Sequence, residues 1–486
     1  MANKILRIYL AAAILIVVVG VYVFTHSKGG GCSFSGIRAR GLNTSKFDVP
    51  VARFRNVETL YKTQSDELAV EVQNVIEQNG LPADIFVDDT NSFKEKKPPT
   101  NIATILDELF NVYYVPEGPN DSLEKLWNAS PIGTWDIDEQ KLASVRNTLY
   151  GFEPKRQAVR TALKRRDTRF YYMFVYPDLR SPEARRDVGV TINTAASQYL
   201  SDYALLEEYA IAQTLLDGNI GESINALAYI FRTAYLASRL ANVGTRSDAA
   251  VVRLRAFDVM QRVVLDPHFN RTHMLALRKM LAEQREHWVS EHTAWFGDRA
   301  SGIVLYHRLL LHGPIVAFED GEYNALVKRE IINVDLAREG IKDTFDFAFE
   351  KYYEADHAFY LRSMQQILDI SKSPFANRQE VLVQIQEELR SKERMVDNNG
   401  VAMEPFVAGI LLKDVPSLME LFAKDESALN RALVLMDASL GQNSATRYRN
   451  PFTDEPYEIS TEEGWLSITT PALPRPFRVP IFAETK

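Results

Sequence analysis

The chain has 486 residues, 46% hydrophobic and 25% charged, which is globular material long enough for more than one core and excludes disorder for most of its length. Its formal charge of −8 argues against a nucleic-acid partner, which would need a basic face. One cysteine, Cys32, excludes an intramolecular disulfide and any cysteine-rich zinc or iron-sulfur site.

Residues Ile8 to Phe24 form an uninterrupted uncharged run preceded by Lys4 and Arg7, with Tyr9 and Tyr22 near its ends. That length sits at the short end of what a spanning helix needs, and the tyrosines sit where interfacial aromatics do. The run predicts an uncleaved anchor, residues 1–24. The rivals are a cleaved secretory signal, for which no clean small-x-small site follows, and a lipoprotein signal ending at Cys32, against which stands Gly29 in place of an aliphatic residue. A large folded remainder is expected to be exported, giving a single-pass inner-membrane protein with a periplasmic body.

Residues 25–60, rich in Gly, Ser and Arg at their start, read as a tether. An amino-terminal helical region follows over 61–176. Within it, helices are expected at Ser65 to Gln78, Ile102 to Val112, Ser122 to Asn128, Asp138 to Tyr150 and Glu153 to Arg166. The last is basic and amphipathic, and a solvated face explains its charges better than a membrane surface. Phe170 to Tyr176 is an aromatic strand or packing segment ended by Pro177.

The main helical domain is read over 177–440, around a hairpin from Thr191 to Val243 that turns at Asp217-Gly218-Asn219. In its first helix Tyr199, Tyr203, Leu206 and Ala210 share one face, widened by Leu205, Tyr209 and Ala212. Between Ile224 and Ser238 the only full charge is Arg232, so the second helix is expected to lie at the centre, surrounded by other elements. Further helices are expected at Asp248 to Val264, Thr272 to Trp295, Gly302 to Leu311, Tyr323 to Arg338, Ile341 to Leu368, Arg378 to Arg394 and Val415 to Met436. Residues 441–486 change character. A turn through Arg449 to Tyr457 leads into a short β-hairpin around Ile459 and Trp465 to Ile468, and prolines 471, 474, 476 and 480 make the end an extended strip. Phe452, Tyr457, Trp465 and Phe477 are expected to dock this segment on the helical body. The fold class is therefore mainly α: an irregular multi-helix bundle with an amino-terminal transmembrane helix, a small carboxyl-terminal β-hairpin and a Pro-rich tail.

Few patterns carry chemistry. Six of the eight histidines, His268, His273, His287, His292, His307 and His312, fall close together in sequence, but in pairs five apart that diverge on a helix. His287 with Glu291 has ligand spacing, and Glu354-Ala-Asp-His357 is a lone Glu-x-x-His where a di-iron bundle needs two. Ser122-Leu-Glu-Lys125 lacks a following Lys-Thr-Gly, the region Gly31 to Gly36 misses Gly-x-Ser-x-Gly by one position, and Asp136, Asp138 and Glu139 are the acid/base carboxylates considered. Walker, dinucleotide-binding and His-Glu-x-x-His patterns are missing from the sequence. No metal site, cofactor or catalytic set is assigned on this basis.

Leu215-Leu-Asp-Gly-Asn219, with Asn450-Pro451-Phe452 and Pro456-Tyr457, resembles a group of uncharacterised, membrane-anchored helical proteins of planctomycete-like bacteria. In that group the threonine is often followed by glycine and lysine, where this chain has Asp454-Glu455. The resemblance covers about the carboxyl two-thirds and implies no activity. The expected function is a membrane-tethered interaction or scaffold module, held through residues 8–24 and binding an envelope protein but no nucleic acid. The alternative is an envelope hydrolase whose site assembles only in three dimensions.

Overall fold

The computed structural model describes residues 100–110, 139–168, 170, 195–240, 242–312, 341–393, 407–442 and 447–482. The expected anchor, the tether, and the helices at 65–78, 122–128 and 323–338 lie outside them, as does 171–176 of the aromatic segment. Among the described residues no helix is long and apolar enough to cross a membrane.

The chain is mainly helical and closes with a small antiparallel sheet. In order the helices are α1 (Ile102–Phe110), α2 (Glu139–Leu163), α3 (Ala195–Leu216), α4 (Ile220–Ser238), α5 (Val243–Leu265), α6 (Arg271–Glu286) and α7 (Glu291–His312). They are followed by α8 (Ile341–Ile370), a 3₁₀ turn (Phe375–Asn377), α9 (Gln379–Glu393), α10 (Val407–Leu412) and α11 (Val415–Ser439).

The hairpin α3–α4 is built as its sequence dictates. Gly218, at φ +67°, supplies the left-handed residue that ends α3. The amides of Gly218 and Asn219 return to the carbonyls of Leu215 and Thr214, at 3.0 and 2.7 Å, in a Schellman closure. Asn219 then caps α4 by accepting from the amide of Glu222. Tyr203, Leu205, Leu206, Tyr209, Ala210 and Ala212 are all buried, with Tyr199 packed against them.

Two apolar cores result. The first gathers α1 to α6, the carboxyl half of α11 and the sheet, and the second gathers α7 to α10, the 3₁₀ turn and the amino half of α11. Helix α4 is surrounded by α2, α3, α5 and α6, as its nearly uncharged sequence predicts, but it does not join the two cores. In α11 every residue from Ser427 to Asp437 is buried, and its two halves belong to different cores, so this helix is the common axis. Helix α5 is the second link, because Val243 and Ala250 enter the second core while its later residues enter the first.

Three expectations change. Residues 139–163 form one helix through Pro154, where two were expected, because a proline inside a helix costs one hydrogen bond without forbidding continuation. The helix expected over Thr272 to Trp295 is broken at His287–Ser290, between α6 and α7. The Pro-rich tail is a strand. Strands β1 (Ser460–Glu462), β2 (Trp465–Thr470) and β3 (Leu473–Pro480) lie in the order β1-β2-β3, so β3 is an edge. Prolines are tolerated where the amide points away from the neighbouring strand. Arg478, in the same alternation as Pro476 and Pro480, turns its outward amide and carbonyl to the Gln261 side chain of α5, at 2.6 and 2.9 Å. That contact covers the open edge. The β1–β2 turn uses Glu463 and Gly464, both at positive φ, as a two-residue hairpin requires.

The docked segment lies on α5 and α11. Phe477, Val479, Leu466 and Ile468 face the first core, and Tyr457 is buried with its hydroxyl 3.2 Å from the Ser427 carbonyl. Asn450, within the closing motif, accepts from the Phe452 amide and is itself buried. Phe452 meets Phe375 edge-on, and the Pro451 carbonyl accepts from Ala376 at 2.9 Å. The motif thereby joins the 3₁₀ turn of the second core to a sheet packed on the first.

Candidate functional site: buried charge at the junction of two cores

Arg246 and Arg253 lie seven residues apart on α5, two helical turns on one face, directed at the seam between the cores. Arg253 is fully engaged. Its Nε donates to Asp425 Oδ1 at 2.9 Å, Nη2 also donates to Asp425, and Nη1 reaches the Ala234 carbonyl at 3.1 Å and Ser238 Oγ at 2.5 Å. One arginine of α5 therefore ties α4 to α11.

Arg246 is placed differently. It is 2% exposed, with its guanidinium 4.9 Å from the Trp288 ring centre and 5.8 Å from that of Phe422. Arg253 sits 5.1 Å from the same indole. Among the described residues, the buried Nε of Arg246 has no hydrogen-bond acceptor. Burial, and then the neighbouring Arg253 charge, push its pKa down to about 10, against the pull of Asp425, Glu291 and Glu426.

Those three carboxylates are bonded elsewhere. Glu291, at the start of α7, pairs with Arg378 and accepts from Trp295 Nε1 at 3.0 Å; burial raises its pKa despite Arg378. Arg378 in turn holds the carbonyls of Ser371 and Ser373 after α8. Glu426 pairs with Arg285 at 2.8 Å, nearer the surface. Among the described residues four arginines thus meet three carboxylates, and the one left without an ion pair is Arg246. Trp288, half-buried on the connection between α6 and α7, lies over it. Chemically the place is a desolvated cation walled by aromatic rings.

A second network joins α2 to α3 and α4. The Glu207 carboxylate, fully buried, takes Arg160 in a two-pronged pair at 2.8 and 2.5 Å, the Tyr203 hydroxyl at 2.7 Å, and Arg156 at 3.3 Å. Arg160 also reaches Glu222 at 2.8 Å. Burial works against the Arg160 charge, yet Glu207 holds its pKa above the ordinary value. The expected solvated face of this helix is therefore corrected at Arg156 and Arg160, which point inward to a carboxylate. The adjacent Glu208 is also buried; desolvation lifts its pKa to about 7 although Arg255 lies 2.7 Å away.

The histidines whose side chains are described are dispersed into local roles, and those of His307 and His312 lie outside that description. His273 completes a capping box with Asn270, His268 bonds Asp266 at 3.0 Å, and His287 closes α6. His292 Nδ1 lies 2.9 Å from Ser371 Oγ. The break between α6 and α7 separates His287 from Glu291, and Glu291 is committed to Arg378, so their ligand spacing does not act. In the Glu354-Ala-Asp-His357 stretch, Asp356 accepts from the Tyr306 hydroxyl at 2.5 Å and faces the Ala408 amide at the start of α10, while His357 stacks on Tyr306 at 4.4 Å. These are core and capping contacts. Among the described residues no three His, Cys, Asp or Glu side chains come together as a metal-binding group. Ser122, Lys125, Asp136, Asp138 and the Gly31–Gly36 region lie outside the described residues.

Sequence reasoning missed Arg246, Arg253, Trp288 and Asp425. One signal was available: two arginines seven apart on a helix otherwise lined by Ala249, Val252, Ala256 and Met260. Comparison with protein-family models, with curated proteins and with solved structures returns no match for this chain.

Proposed function

We propose that the chain is a membrane-tethered interaction or scaffold module of the bacterial envelope, with one amino-terminal span in the inner membrane and its helical body in the periplasm. The observation that carries this reading is the uncharged run from Ile8 to Phe24, followed by a Gly-, Ser- and Arg-rich stretch ahead of a folded body. The way the body uses its buried charge is consistent with a scaffold. Glu207, Glu291, Asp425 and Asp437 each hold an arginine from another element, so these carboxylates fix helices relative to one another. The resemblance to the planctomycete-like group belongs to the same proposal and rests on Asn450-Pro451-Phe452 and Pro456-Tyr457.

The test is photo-crosslinking in living cells from exposed positions of the body, such as Leu275 and Val383. The proposal expects the same envelope protein to be recovered repeatedly from neighbouring positions on one face. Cytoplasmic proteins as the crosslinked species, or no crosslink beyond background at any exposed position, would overturn it. Turnover of an envelope substrate by the purified chain would support the hydrolase alternative instead.

A further inference from the structure

We propose that Arg246, flanked by Arg253 and covered by Trp288, is the anchor of an oxyanion-binding site for a small carboxylate- or phosphate-bearing ligand. The inference is independent of the scaffold reading and rests on the geometry of the core junction. A guanidinium withdrawn from water is costly unless it is paired and hydrogen-bonded. Among the described residues, the carboxylates that pull on Arg246 are already spent: Asp425 on Arg253, Glu291 on Arg378 and Glu426 on Arg285. The buried Nε of Arg246 still needs an acceptor, and among the described residues these three carboxylates face four arginines, Arg246, Arg253, Arg285 and Arg378.

An oxyanion meets both needs at once. A planar or tetrahedral anion accepts two parallel N–H bonds from a guanidinium fork and supplies the missing negative charge. The walls also suit it. The Trp288 and Phe422 ring centres lie 4.9 and 5.8 Å from the guanidinium carbon, aromatic walls that attract the cation but offer it no hydrogen-bond acceptor. Trp288 is only half-buried and stands on the connection His287–Ser290, whose end residues are exposed, so the cluster comes close to the surface on that side.

The test uses the full-length chain in detergent, followed by thermal unfolding and by isothermal titration with sodium phosphate and, separately, sodium acetate at constant ionic strength. Specific binding to the folded state raises the melting temperature in a saturable way. The proposal expects that rise with at least one anion; phosphate alone would define a phosphate ligand, and acetate as well a carboxylate one. Arg246→Met is expected to abolish the rise while melting no lower than the wild type in anion-free buffer, since it removes an uncompensated buried charge. Arg246→Lys keeps the charge but loses the fork and is expected to bind roughly tenfold more weakly. Trp288→Phe should remove any anion-dependent change of fluorescence that arises at this indole. Identical, non-saturating responses of the wild type and Arg246→Met would overturn the site. So would an Arg246→Met protein that melts well below the wild type without anion, which would make Arg246 a structural strut. Should Arg246→Met fail to fold, a wild-type titration with no heat and no shift decides against the proposal, and a saturable one with weakened Arg246→Lys binding decides for it.

Discussion

Asp425 is the carboxylate on which the seam between the cores depends, and Asp425→Ala probes it. In the native structure it is fully buried and accepts from both Nε and Nη2 of Arg253, itself 3% exposed. Removing it strands the Arg253 charge in a desolvated place and does so beside Arg246, a second cation over the same Trp288 ring. Breaking a buried pair from one side costs about 3–5 kcal/mol, and the like-charge neighbour puts this case toward the upper end. For a body of this size that corresponds to a fall of roughly 3–6 °C in melting temperature. The double variant Arg253→Met with Asp425→Ala tests the cause. It removes both charges, and Ser238 Oγ keeps its own bond to the Ala234 carbonyl at 2.7 Å, so its loss should be only about 1–2 kcal/mol. Thermal and urea unfolding of the full chain in detergent supply the numbers. A loss below about 1 kcal/mol for Asp425→Ala, or a double variant as unstable as the two single variants summed, would refute the reasoning.

Further outcomes follow from other contacts. A Cβ at Gly302 would stand 1.9 Å from the Tyr360 hydroxyl and 2.3 Å from Cζ, so Gly302→Ala should destabilise by about 1–3 kcal/mol, and Tyr360→Phe should fail to rescue it because the ring remains. Truncation before Asn450 removes buried Tyr457, Phe477 and Val479, each worth about 1.5–3 kcal/mol; the body should melt at clearly lower temperature and bind an apolar dye, whereas an unchanged melt would show that the segment is no cap. For Glu208, burial raises the folded pKa to about 7 from an ordinary 4.5. The folded state therefore holds this proton more tightly, the contribution is favourable below the unfolded value, and it is lost as pH rises through about 7. Glu208→Gln should accordingly flatten the stability decline between about pH 4.5 and 7.5, by roughly 3 kcal/mol at its alkaline end, and a variant with the wild-type slope would contradict the assignment.

Local signals in the sequence carried much of the architecture. The α3–α4 hairpin was legible because its determinants are short in range: an apolar face, a glycine that takes the left-handed turn, and an asparagine that caps. The same holds for α11, read almost to its ends, and for the hairpin turning at Glu463-Gly464. What depended on distant partners was hidden. Arg253 and Asp425 are 172 positions apart, and Arg160 and Glu207 are 47 apart, so their charges look like solvated faces in one dimension. Helix α5 shows the difficulty well, because buried arginines interrupt the apolar stripe by which a core-facing helix is recognised. Pro476 and Pro480 marked extended chain correctly, but membership of a sheet required knowing that β2 offers only one side and that Gln261 covers the other.

The central claim, a helical body carried outside the inner membrane by an uncleaved amino-terminal span, is tested most directly by combining protease accessibility with the intact mass of the native protein. The account predicts that protease added to spheroplasts digests the body while a cytoplasmic control survives, and that the undigested chain sediments with membranes, resists extraction by salt and begins near Met1. A soluble species starting after Phe24, an acylated Cys32 terminus, or a body protected from protease until the cells are lysed would contradict it.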